Sequence, residues 1–475
     1  MTTDTEKSIS FQDYTISEFS RLFEKKEVSP LEITEYCIQN IESYNPELNA
    51  FCHTDFAQAR QHAAESTERW RNNTPLSIID GIPTTIKDLF QVKDWPMRQG
   101  SLLLEGCISE EDSPAVAHLR KNGAIFLGAT TTPEFGHKGV TDCPATGITR
   151  NPWNTNKTPG GSSGGSAVAA AMDMGVIHLG SDGGGSCRIP ASFTGIFGFK
   201  PSQNTIPIAP ISPFYDFATP GLLSKCVSDV KTVLPLLQAP HPFDKGHIPP
   251  PAQTTHASKK DNYKIGYISD FPDTPLCPET ETVLKRAVHQ LSSHVTIEDI
   301  SPDFDTLLDV FSTYWTSGAY TMLQGFNKMD KEEKMDPNLA AFEAYGSTLS
   351  QEDLSWAAAQ RDAITQTCHA LLQNYDFLIL PTMPLTAFEA GLALPPHPET
   401  QEDWVYWSPF TCLANMAGLP ASSSPVGLTA SGLPVGLQVI GSKFDDMMVL
   451  DFCQLIENVF PVILPPMKKT QASSL

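Results

Sequence analysis

The chain has 475 residues, of which 40% are apolar, with 32 Lys and Arg against 54 Asp and Glu. The resulting charge of −22 presents a repulsive field to a phosphate backbone and argues against nucleic acid as a primary partner. Charged residues at 18% fall below the ~25% usual in globular chains, and with this apolar content they exclude disorder over most of the length.

The first 70 residues predict helices, because two capping boxes, Thr15-x-x-Glu18 and Ser29-Pro30-Leu31-Glu32, each precede an apolar repeat. Ile33, Cys37, Ile38 and Ile41 fall on one face of the second helix, and Phe56, Ala59, Ala63 and Ala64 on one face of a third, Asp55 to Trp70. From Ile79 the pattern changes to short apolar runs separated by Gly, Pro and Thr, the mark of strands interleaved with helices in an α/β core. Ile82 to Ile86 reads as a strand, Ser113 to Asn122 as a helix and Ala124 to Ala129 as a strand. Gly164 to Met174 is apolar on every face, which predicts a buried helix ended by Gly175 before a strand from Val176 to Leu179.

A Pro-rich polar stretch, 239–262, reads as a surface loop between a core over 79–238 and a remainder over 263–475, all expected as one domain behind the N-terminal helical layer of 1–70. Beyond it come a strand at Tyr263 to Ile268, a helix at Thr280 to Ser293 and a helical zone reaching Tyr375. Strands follow at Phe377 to Leu380 and Pro434 to Ile440, then a helix from Asp445 to Phe460. Ten cysteines stand singly without a C-x-x-C pair, so reduced thiols and no metal site are expected. Met1 to Ser10 lacks a signal-peptide pattern and no run approaches the ~18 apolar residues of a membrane span, so the expectation is a soluble cytoplasmic protein.

Two serine-bearing glycine clusters carry the chemistry: Gly160-Gly161-Ser162-Ser163-Gly164-Gly165-Ser166 and Gly180-Ser181-Asp182-Gly183-Gly184-Gly185-Ser186. Glycine runs let consecutive backbone N–H groups converge, as an oxyanion hole requires, so Gly183, Gly184, Gly185 and Ser186 are candidate donors and Ser186 the candidate nucleophile. A serine hydroxyl needs a base. His178 lies inside a strand and reads as a core residue, whereas Lys87 ends an apolar strand, where desolvation lowers an amine's pKa toward neutrality. Neither G-x-x-x-x-G-K-[ST] nor G-x-G-x-x-G occurs, which argues against a phosphate cradle.

Lys87 in GIPTTIKD, Ser162 in PGGSSGGS and Ser186 in GSDGGGSCRIPAS, in this order, resemble the amidase signature family, with supporting stretches from Ile79 to Phe460. The resemblance implies a mixed central sheet covered on both sides by helices. It also implies an amidase without cofactor, with Ser186 as nucleophile, Ser162 after a cis bond to Gly161 as proton relay, and Lys87 as base. Asp182 and Arg188 are expected to fix the loop, and Ser163 to hydrogen-bond Lys87. Two positions depart from the family pattern: Gly183 stands where Thr or Ile is common, and Cys187 where Ile is common; Cys187 is expected to be a buried structural thiol.

Phe135, Tyr314 and Trp315 are candidates to line an acyl pocket, with Glu134 and Asp142 as polar groups near it. The partner implied is a small amide, aliphatic, aryl, peptide-like or carbamate-like, with side activity on esters expected, and the family's dimers make a homodimer compatible. A glutaminase-like subunit of a tRNA-dependent amidotransferase is the alternative within the family, but Thr306 to Leu323 lacks the Arg-rich stretch expected there. Gly160 to Gly164 also spells G-x-S-x-G, the nucleophile elbow of α/β-hydrolases, which would make Ser162 the nucleophile and require a late His such as His369 or His397. A binding protein that has lost activity is the remaining alternative, and the presence of Lys87, Ser162 and Ser186 argues against it.

Overall fold

The computed structural model describes residues 11, 14–210, 212–242, 244, 246–250, 262–269, 271, 274–396 and 404–467. Its strands are β1 (Phe51–Thr54), β2 (Pro83–Lys87), β3 (Ile125–Thr130), β4 (Asp142–Cys143), β5 (Gly147–Ile148), β6 (Ile177–Asp182), β7 (Phe197–Lys200) and β8 (Thr219–Ser224). After these come β9 (Lys264–Tyr267), β10 (Thr296–Asp299), β11 (Phe377–Pro381), β12 (Ala421–Leu428) and β13 (Pro434–Ile440). Eleven of them form one sheet in the order β1-β3-β2-β6-β8-β7-β12-β13-β11-β9-β10. It is mixed: β3, β2 and β6 run parallel, as do β11, β9 and β10, while β8, β7, β12 and β13 join the two parts through antiparallel pairs.

The helices before the second glycine cluster are α1 (Ile16–Lys25), α2 (Pro30–Leu48), α3 (Phe56–Arg71), α4 (Pro114–Lys121) and α5 (Gly164–Ala171). Both expected capping boxes close on α1 and α2, where Thr15 and Ser29 each accept from the backbone of a glutamate that bonds back. Every residue of α5 is buried. It is shorter than expected, because Met172 is its C-cap and 173–176 form a turn before β6. The later helices are α6 (Arg188–Thr194), α7 (Val227–Leu237), α8 (Pro278–Leu291), α9 (Leu307–Leu323), α10 (Lys328–Lys334), α11 (Pro337–Gly346), α12 (Gln351–Leu372), α13 (Trp404–Trp407), α14 (Pro409–Met416) and α15 (Asp446–Val459).

Alternation along β11 shows how the sheet is covered. Phe377 and Ile379 pack into a core with α2, α5, α7, α8 and α15, whereas Leu378 and Leu380 pack into a second core with α9, α12 and α14. Side chains of a strand alternate between faces, so the sheet is buried on both sides by helices, an α/β/α arrangement. Central strands closed in this way read as continuous apolar runs, which is why β3 and β11 were legible. The described residues of 239–250 carry no helix or strand and none is buried, and 251–261 lie outside the described residues. So does the N-terminal stretch Met1 to Ser10. None of the ten cysteines is paired in a disulfide among the described residues. Among the described residues no helix is long and apolar enough to cross a membrane.

Candidate active site

Lys87 is the last residue of β2, which pairs in parallel with β6 through Thr84 opposite Ile177 and Ile86 opposite Leu179. The carboxyl ends of two adjacent parallel strands therefore bring Lys87 beside Ser181, and such ends are where α/β sheets hold ligands. The Lys87 side chain is fully buried, and its Nζ donates to Ser162 Oγ at 2.7 Å and to Ser181 Oγ at 3.0 Å. Burial in the absence of a bonded carboxylate brings its pKa down from 10.5 to about 7.

The expected contact of Ser163 with Lys87 is not made. Ser163 Oγ instead donates to the Ser181 carbonyl at 3.1 Å and accepts from the Ser181 N–H at 3.3 Å. Its neighbour Ser181 occupies the second position on the amine, a role visible only from the β2–β6 register. The Gly161–Ser162 peptide is cis, as the family resemblance implies. Thr141 pins this loop by donating to the Gly160 carbonyl at 2.8 Å and accepting from the Gly164 N–H at 3.1 Å. The two glycine clusters are tied together where the Ser163 N–H donates to the Ser186 carbonyl at 3.1 Å.

Asp182 and Arg188 form a buried ion pair beside the second glycine cluster. Arg188 is fully buried and donates from Nη2 to Asp182 Oδ1 at 2.7 Å and from Nε to Oδ2 at 3.0 Å. Burial alone would raise the Asp182 pKa, but the guanidinium beside it holds the carboxyl well below the usual range. Arg188 also bonds the Thr411 carbonyl, Asn415 Oδ1 and Gln438 Oε1, partners from α14 and β13 that no local motif announces. Removing one member of such a buried pair strands the other charge. Arg188→Met is therefore expected to lower unfolding stability by about 3–5 kcal/mol, measured by denaturant titration.

Asp182 Oδ1 also accepts the Gly185 N–H at 2.8 Å, and Oδ2 the Cys187 N–H at 3.1 Å. This removes Gly185 from the expected set of oxyanion donors, because its one N–H is already spent. Among the described residues, the N–H groups of Gly183, Gly184 and Ser186 have no such acceptor. Gly185 is instead needed for its φ of +119°, and a Cβ there would lie 2.3 Å from Thr411 Oγ1. Cys187 is fully buried, and burial pushes its thiol pKa up, as expected of a structural cysteine.

Ser162, Ser181, Gly183 and Ser186 line one cavity of about 400 Å³. Its other walls are mainly apolar, among them Phe90, Met97, Ile208, Phe214, Met322 and Phe326. Phe135 and Trp315 lie in this wall, whereas Tyr314 does not. Successive residues of a helix point about 100° apart, so when Trp315 of α9 faces the cavity Tyr314 turns away, onto Phe217 at 5.2 Å. Glu134 and Asp142 are also outside the wall: Glu134 accepts from Ser101 Oγ at 2.5 Å and from the Asp336 N–H at 2.6 Å, and Asp142 pairs with Lys138 at 2.7 Å. No charged side chain lines the cavity among the described residues.

Among the described residues no histidine lines the cavity. His178 is buried with Nδ1 2.8 Å from Thr85 Oγ1, and burial lowers its pKa to about 3. His369 is exposed on α12, and His397 lies outside the described residues. The residues leading to Ser162 form turns and isolated bridges rather than a strand, so the strand–turn–helix of a nucleophile elbow is missing. Among the described residues no group of three or more His, Cys, Asp or Glu is placed to hold a metal ion.

Residues 32–450 match the family described as Amidase. The chain belongs to the amidase family. It is 31% identical to a glutamyl-tRNA(Gln) amidotransferase subunit of Synechococcus sp. (strain CC9605), over 95% of this chain and 97% of the relative. It is 30% identical to an acylamidase of Rhodococcus erythropolis, over 91% of this chain and 93% of that one. Among solved structures, a bacterial aryl acylamidase of the amidase signature family superposes with a TM-score of 0.86 at 25% identity, covering 94% of this chain and 96% of that one. The family and these relatives make the chain a hydrolase acting on amides.

Proposed function

We propose that this amidase is a free-standing enzyme that cleaves uncharged, apolar carboxylic amides through Ser186, Ser162 and Lys87. The observation that carries the chemistry is the buried Lys87 amine, with a pKa near 7 and 2.7 Å from Ser162 Oγ, at a cavity that Ser186 also lines. In this reading the neutral amine takes the Ser162 proton while Ser162 takes that of Ser186, whose oxygen attacks the carbonyl carbon. The oxyanion is met by the N–H groups of Gly183, Gly184 and Ser186. Collapse breaks the C–N bond, the Lys87 ammonium returns its proton through Ser162 to the leaving amine, and water hydrolyses the acyl-enzyme by the same relay. The relay as written uses only these side chains.

The second reading, a glutaminase component of an amidotransferase, is favoured by the 31% identity to such an enzyme's subunit. Glutamine carries an ammonium and a carboxylate beyond its amide, and desolvating them without counter-charges is costly. The uncharged cavity wall thus favours an apolar amide. A fluorophosphonate probe is expected to modify Ser186, located by peptide mass spectrometry, and apolar acyl p-nitroanilides to be hydrolysed where glutamine is not. Glutamine hydrolysis by a co-purifying complex, with inert anilides, would replace this reading with the second.

A further inference from the structure

Gly183 differs from the two glycines that follow it. A Cβ at Gly184 would lie 2.5 Å from Phe311 Cζ, and Gly185 needs its left-handed backbone. The φ of Gly183 lies outside that region. What an added Cβ would crowd is Trp315, whose Cη2 and Cζ3 both lie at 3.2 Å, whereas Ala218 Cβ at 3.6 Å is in ordinary contact. Trp315 has little freedom to withdraw. Its Nε1–H donates to the His137 carbonyl at 2.9 Å, and its ring is stacked on Phe214 at 4.1 Å and on Phe311 at 5.2 Å, with Trp404 edge-on at 5.5 Å. With the indole held by these rings and its N–H bond, the Cη2–Cζ3 edge is turned to Gly183, and Trp315 lines the cavity.

We propose that Gly183 and Trp315 form a specificity-determining pair: the missing Cβ admits the indole edge beside Ser186, and that edge limits the size of the acyl group. The assignment to the acyl side rests on the proposed roles of Ser186 and Ser162. A leaving amine must face Ser162 to receive its proton and the oxyanion must face the N–H groups of the glycine loop, which leaves the substituent on the carbonyl carbon the remaining direction, toward the cavity wall that holds Trp315.

The test compares kcat/KM for acetyl, butyryl, hexanoyl and octanoyl p-nitroanilides, together with labelling of Ser186 by a short-chain fluorophosphonate. Trp315→Leu is expected to raise the octanoyl-to-acetyl ratio about tenfold, with Ser186 still labelled by the short probe. Gly183→Ala is expected to lower the octanoyl-to-acetyl ratio about tenfold in the parent, and to leave that ratio unchanged in Trp315→Leu, because the coupling needs the indole. Trp315→Phe, which can keep the stack on Phe214, is expected to shift the ratio in the same direction and stands in if the leucine variant does not fold. An unchanged ratio with Ser186 labelled, or an equal alanine penalty in both backgrounds, overturns the pair alone. Failure of the short probe to label Ser186 in the parent overturns the pair together with the nucleophile assignment.

Discussion

Ser186→Ala is expected to lower kcat for amide hydrolysis by about 10⁴-fold or more, because removing the nucleophile of a covalent mechanism leaves only binding and the oxyanion donors. The loop around it should survive the change. Its shape is set by Asp182 and Arg188 and by the Ser163 N–H bond to the Ser186 carbonyl, none of which uses the Ser186 hydroxyl. The Tm is therefore expected to move little while the rate collapses, and substrate binding, read as protection against the fluorophosphonate in the parent and by calorimetry in the variant, should persist. Cys187→Ala is the control for the adjacent thiol, with activity expected to stay within about twofold, since buried cysteines are inert. Substantial hydrolysis by Ser186→Ala, or its loss on adding a chelator to the parent, would overturn the mechanism.

What the sequence disclosed and what it withheld divide along the range of the interactions. The capping boxes at Thr15 and Ser29, the apolar runs of β3 and β11 and the buried helix after Ser163 are local patterns, and each is found where the pattern puts it, within a few residues. The glycine clusters were equally legible, since close approach leaves a mark in composition. Pairings across the sheet were not. Ser181 reaches Lys87 only because β2 and β6 are parallel neighbours in a particular register, and a shift of that register by one residue would turn it to the other face. The loss of Gly185 as an oxyanion donor follows from the orientation of the Asp182 carboxylate, which Asn415 bonds from 233 positions away and Arg188, itself bonded to Gln438 across 250 positions, from 6. Tyr314 and Trp315 were indistinguishable as aromatic residues, and only the rotation of α9 against the cavity separates them.

Lys87→Met is expected to lower kcat/KM by about 10²–10⁴-fold and to erase the acid limb of its pH profile. In the parent the base must be unprotonated, so kcat/KM is expected to rise with pH through about 7 and then level off. Lys200 provides a control built into the same fold. It too is buried, and burial, aided by the Arg188 charge, lowers its pKa to about 7, yet its Nζ donates to the Pro201 carbonyl at 2.8 Å and it does not line the cavity. Stability follows the two lysines alike. Below pH 7 the native and unfolded states both hold the proton, and the cost of the buried ammonium is complete. Between about 7 and the ordinary 10.5 the native state has released a proton that the unfolded chain still binds, so stability rises with pH across that window. Each methionine variant should therefore gain most relative to the parent near pH 6, with the advantage fading toward pH 10. Activity separates them: the limb near pH 7 is expected to vanish in Lys87→Met and to remain in Lys200→Met. A limb that persists without Lys87, or that disappears with Lys200 alone, would move the base away from Lys87.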